Sequence, residues 1–157
     1  MYTVAWVNRS IAMKKVSFRE ALAQIVREDP RYDEQAYVFL REALDFTIHR
    51  LEKPTEGPGR HVSGQELLDG VRAYALQEYG PMAYRVLTTW GVESCRDLGE
   101  VVFNLVEKGI LGKTENDSRA DFEAGYSFEE AFRRPFRATT LTSTPAHRLT
   151  ESDSLNS

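Results

Sequence analysis

Ser94–Phe128 reads S-C-R-D-L-G-E-V-V-F-N-L-V-E-K-G-I-L-G-K-T-E-N-D-S-R-A-D-F-E-A-G-Y-S-F. Leu98, Val101, Val102, Leu105 and Val106 recur at the spacing of one helical face, which predicts an amphipathic helix over Cys95–Lys108. Ser94 with Asp97 makes a capping box at its start, and Gly109 suits its end. Beyond Gly109 the period changes. Ile110–Thr114 predicts a short strand and Glu115–Arg119 a polar connection. Phe122, Ala124, Tyr126 and Phe128 alternate with Asp121, Glu123, Gly125 and Ser127, which predicts a half-buried second strand. With two helices before it, this helix and hairpin follow the order of a winged helix-turn-helix.

Working outward, S-x-x-[DE] boxes recur at Ser17/Glu20, Ser63/Glu66 and Ser127/Glu130. In each, the serine oxygen accepts from the third helical N–H while the acid faces the positive helix end. They predict a first helix from Phe18 to Glu28, stopped at Asp29-Pro30, with Phe18, Leu22, Ile25 and Val26 inward. A second helix opens near Asp33 and reaches Leu51. Its stripe of Tyr37, Leu40, Leu44, Ile48 and Leu51 is widened by Ala36, Phe39, Ala43 and Phe46, as in a helix buried on much of its circumference. Lys53–Gly59, rich in Pro and Gly, is a loop. A third helix covers Gly64–Tyr79. Gly80 ends it, and Pro81 opens a fourth that carries Met82, Tyr84, Val86, Leu87 and Trp90. A last short helix follows Ser127 and stops before Pro135.

Residues 1–16 show no sustained period, and Met13-Lys14-Lys15 precedes the first cap. Residues 1–16 are therefore expected to be a disordered N-terminal extension, with Met1–Ala12 lying upstream of a start at Met13. The tail 137–157 has too few apolar residues to offset its ordering entropy and is expected to be disordered. Between them lies a mainly α single domain, residues 17–136. It comprises a helical pair (17–53) and a winged-helix-like unit with a small β-hairpin (63–136).

Three stretches also carry a resemblance: R-Y-D-E-Q-A-Y-V-F-L-R-E-A-L-D-F-T, Y-G-P-M-A-Y-R-V-L-T-T-W-G-V and F-N-L-V-E-K-G-I-L-G-K-T-E-N-D-S-R-A-D-F. They resemble an uncharacterised bacterial protein family known mainly from planctomycete and verrucomicrobial genomes, over about Phe18–Phe136. The resemblance implies a bacterial origin and carries no catalytic residues with it.

Composition narrows the function. A formal charge of −4 gives no bulk attraction to nucleic acid or anionic membrane. One cysteine, Cys95, excludes an intramolecular disulfide and any multi-cysteine metal site. The start lacks a secretory signal pattern and no apolar stretch is long enough to span a bilayer, so a cytoplasmic, membrane-free setting is expected. His49, His61 and His147 lack metal-ligand spacing. Cys95 sits in a first helical turn, where the dipole favours a thiolate, but no histidine lies near it in sequence. No glycine-rich phosphate loop is present, and no acid, base and nucleophile converge in the pattern. No enzyme, metal or cofactor is expected.

The candidate binding residues lie on two surfaces. The outward face of the fifth helix offers Arg96, Glu100, Asn104, Glu107 and Lys108. Over that helix two cations (Arg96, Lys108) meet three anions (Asp97, Glu100, Glu107). A nucleic-acid reader typically makes about 6–10 phosphate contacts, so DNA binding is disfavoured. The second surface holds Arg133 and Arg134 with Arg137, beside Phe132 and Phe136; Arg50, Lys53, Arg60 and His61 form a looser basic group. The reading is a non-catalytic interaction or adaptor module with an unidentified protein partner. The competing reading is a nucleic-acid-associated or ribosome-linked regulator of winged-helix type.

Overall fold

Helix α1 (Ile11–Glu28) runs until Asp29 and Pro30 break it, Pro30 being unable to donate to the helical ladder. These elements come from a computed structural model that describes residues 2–3, 11–54, 61–113, 119–123 and 125–136. Asp33, in extended conformation, accepts from the Gln35 N–H at 2.8 Å and opens α2 (Glu34–Arg50). Ser63 and Glu66 form the complete capping box that opens α3 (Gly64–Tyr79): Ser63 Oγ accepts from Glu66 N–H at 3.1 Å, and Glu66 accepts from Ser63 N–H at 2.9 Å. A 3₁₀ turn, Gly80–Met82, carries Pro81 into α4 (Ala83–Thr89). Gly91, at φ 93°, turns the chain toward α5 (Cys95–Glu107), which Ser94 caps through the Asp97 N–H at 3.3 Å.

The mainly helical expectation holds, and four of the five α-helices lie close to where capping and periodicity put them. Helix α1 is the correction. It starts at Ile11 rather than after Ser17, because Ile11–Val16 contains no glycine, proline or capping residue to delay it. Ser17 therefore lies inside the helix instead of ahead of its first turn. Tyr2–Thr3, set aside in the sequence reading, pairs antiparallel with Gly112–Lys113. These dipeptides, β1 and β2, are the strand content of the described residues.

The expected hairpin is not observed among the described residues. Gly112–Lys113 pairs with Tyr2–Thr3, and the described residues of 122–128 form no strand. Arg119–Phe122 is instead a 3₁₀ turn and Gly125–Ser127 is irregular. The alternation has another origin: separate side chains fill separate holes. Phe122 packs over Gly99, where an added Cβ would approach its Cβ to 2.8 Å. The Tyr126 hydroxyl donates to the Leu68 carbonyl at 2.7 Å, and Gly125 sits against Cys95. The last helix also departs from expectation, passing through Pro135 instead of stopping before it. A π-turn, Glu129–Arg133, precedes that proline, and a wider turn relieves the clash its ring would make with the carbonyl four residues back. The polar loop 114–118 and the tail 137–157 lie outside the described residues.

The core fills the space between α2, α3 and α5. Helix α2 contributes Tyr37, Phe39, Leu40 and Leu44, α3 contributes Leu67, Leu68 and Val71, and α5 contributes Leu98, Val101, Val102 and Leu105, all buried. Each such side chain stabilises the fold by roughly 1.5–3 kcal/mol on leaving water. Leu51, expected in the stripe of α2, is exposed because the helix ends at Arg50 and Glu52 (φ 56°) turns the chain away. Helices α2 and α3 meet at Gly70, whose missing side chain makes room for the buried Thr47; the Thr47 hydroxyl donates to the Ala43 carbonyl at 2.7 Å.

Candidate interaction surfaces

The outward side of α5 is not a free face. The turn D-P-R-Y-D between α1 and α2 folds over it, held where the Asp33 N–H donates to the Trp90 carbonyl at 3.0 Å. From that corner Arg31 donates through Nε and Nη2 to the two oxygens of Asp29, at 2.8 and 2.7 Å, and its Nη2 lies 3.4 Å from Glu100. Arg119 grips Glu100 from the other side through both carboxylate oxygens, at 2.7 and 2.8 Å, and stacks over Phe103. Asn104 donates to Asp29 at 3.0 Å and to the Tyr37 hydroxyl at 2.9 Å. Tyr32 donates to Asp97 at 2.7 Å, and Lys108 pairs with Glu28 at 3.0 Å.

The electrostatics follow from these contacts. The Arg31 guanidinium, with the Asn104 amide, holds the Asp29 carboxyl well below the usual carboxylate range. Partial burial opposes ionisation of Glu100, but hydrogen bonds and charge from Arg119 and Arg31 outweigh it, and its pKa is lowered. Burial and the bond to Asp97 push the Tyr32 phenol up, so it stays a neutral donor. Three of the residues expected to meet a partner from α5, namely Glu100, Asn104 and Lys108, are thus engaged inside the molecule. Arg96 and Glu107 remain exposed. A lone outward arginine on this helix gives no phosphate track.

Arg133 and Arg134 are where the structure does open. Both are exposed, Arg133 at the end of the π-turn and Arg134 just after it, each within 3.5 Å of a glutamate one turn back, Glu129 and Glu130. Such exposed pairs contribute about 0.2–1 kcal/mol, little enough for a partner's charge to replace. The Arg133 guanidinium lies 4.9 Å from the centroid of the Tyr84 ring. Together with Pro81, Met82, Arg85 and Thr88 these two residues line a groove of about 410 Å³ along α4. Met82 is 52% exposed, the most exposed large hydrophobic side chain among the described residues. Arg85 is exposed and has no acidic partner among the described residues.

The remaining candidates are structural in the described residues. Cys95 is buried, its thiol 3.4 Å from the Tyr126 carbonyl, and burial pushes its pKa up to about 11; that opposes the thiolate its helix position suggested. Lys53 pairs with Glu66 at 3.7 Å, and Arg60 lies outside the described residues. Of the aromatics expected to close the core, Phe122, Phe128 and Phe132 do so, Tyr126 is half-buried and Phe136 is exposed.

Sequence reasoning assigned Met82 and Tyr84 to a helix without seeing a groove. A signal was present: from Tyr79 to Val92 the only charged residue is Arg85, in a chain where 28% of residues are charged. No helix of the described residues is long and apolar enough to cross a membrane. No protein-family model, curated protein or solved structure matches the chain.

Proposed function

We propose that this chain is a non-catalytic interaction module whose contact surface is the groove along α4 and the π-turn. The observation that carries this reading is the contrast between its two candidate faces. On α5 the polar side chains are satisfied by Asp29, Arg31, Tyr32 and Arg119. Across the Gly80–Met82 turn, α4 and the π-turn, an exposed methionine, a tyrosine ring and two arginines line a concave surface. An exposed apolar residue set among cations in a groove is the composition of a recognition surface.

In this reading α3, α4 and α5 make a tri-helical unit of the helix-turn-helix kind, and the third helix is a structural wall instead of a reader. The nucleic-acid alternative is disfavoured on that helix, where, among the described residues, Lys108 is paired with Glu28 and Arg96 stands alone. The test compares tagged wild-type chain with Met82→Asp in capture from a native lysate, at low and moderate salt. A discrete protein retained by the wild type at both salts and lost with Met82→Asp is the expected result. Recovery of nucleic acid that falls steeply with salt, unaffected by Met82→Asp, would reject the reading.

A further inference from the structure

The groove along α4 carries a charge pattern that specifies more than contact. Its lining holds two guanidiniums, a thioether, a phenol ring, a proline and a threonine, and no carboxylate. This is a cationic groove on a chain of formal charge −4. The Arg133 guanidinium lies 4.9 Å from the Tyr84 ring centroid, and its planar fork suits carboxylate oxygens. The π-turn that carries Arg133 is an uncommon backbone form, frequent at functional positions.

We propose that the groove docks an acidic linear segment of a partner protein, its carboxylates on Arg85 and Arg133 and an apolar side chain between them on Met82 and the Tyr84 ring. The proposal rests on the interaction-module reading and names the chemistry of the partner. Charge complementarity selects the occupant: the groove offers two cations and an apolar floor, and the exposed Glu129 pair on Arg133 is weak enough for a partner's carboxylate to replace. A polynucleotide is the poorer match, because a phosphate track calls for about 6–10 cationic contacts and the groove supplies two. The exposed, adaptable Met82 suits an aliphatic anchor on a flexible peptide.

The test uses the full chain and fluorescence polarisation with the labelled peptide E-D-L-E-L-D-E. Its controls are the same peptide with lysine for each acid, the same peptide with serine for each leucine, and a short oligouridylate. Saturable binding of the first peptide, about tenfold or more tighter than its lysine and serine counterparts, is expected. Arg85→Glu should weaken it by about tenfold with unchanged melting temperature, since Arg85 is exposed and without an ion pair among the described residues, and Arg133→Gln, which avoids setting a like charge against Glu129, should weaken it in the same direction. Indifference to these substitutions, equal binding of the serine peptide, or tighter binding of oligouridylate would overturn the proposal. If the acidic peptide fails while lysate capture still depends on Met82, the ligand chemistry is wrong and the interaction reading stands. If capture is also insensitive to Met82, both fall.

Discussion

Asn104 shows how much a single side chain settles here. Its amide donates to Asp29 and to the Tyr37 hydroxyl, joining α5 to the α1–α2 corner and to α2. Asn104→Ala removes the donor to the buried Tyr37 hydroxyl and one of the donors to Asp29, which keeps Arg31, and should destabilise the fold by about 1–3 kcal/mol, read as a lower urea midpoint with an unchanged denaturant slope. Asn104→Asp should cost at least as much, because it sets a second carboxylate against Asp29. The acids of the same network set the response to pH. Asp29 and Glu100 both have folded pKa values below their unfolded ones, so the folded state binds fewer protons. Their stabilisation is present above about pH 4, the unfolded carboxylate range, and is lost as pH falls below it. Urea midpoints measured from pH 6 down to 2 should therefore fall less steeply for Asp29→Asn with Glu100→Gln than for wild type; parallel curves would contradict the assignment.

At the scale of elements, the contact between α2 and α3 depends on Gly70. A side chain there would collide with the buried Thr47, so Gly70→Ala should cost about 1–3 kcal/mol through overpacking despite alanine's better helix propensity. Adding Thr47→Ala should recover part of that loss. A double-mutant cycle with no coupling would show that the helices separate freely instead. Elements were also where the sequence was most and least legible. Asp33, Ser63, Ser94 and Gly109 announce helix ends through bonds to neighbours a few residues away, and local pattern captures them. Phe122 and Tyr126 obey a period of two because Gly99 and the Leu68 carbonyl happen to receive them, from elements distant in the chain. That alternation imitates a strand, and only the packed structure separates the two causes. The groove was hidden for a related reason: Arg85 and Arg133 are 48 positions apart, and only folding of the π-turn onto α4 brings them to one surface.

For the whole molecule, charge is sorted by location. Asp29, Glu100 and Glu28 are answered across elements or within the corner by Arg31, Arg119, Lys108 and Asn104, while Arg133 and Arg134 pair only with glutamates one turn back and Arg85 has no acidic partner among the described residues. Helix α5 is enclosed by α2, by the corner and by the Arg119–Phe122 turn, its apolar face meeting the core and its polar face meeting Asp29, Arg31 and Arg119. An element covered along most of its circumference has few small fluctuations that let solvent reach its backbone. Amide protons of Leu98–Leu105 should consequently exchange with deuterium only when the entire domain opens, at the free energy of global unfolding, whereas those of α4 should exchange through shallower, local openings. A fifth helix exchanging as fast as the fourth would mean that the corner lifts away by itself.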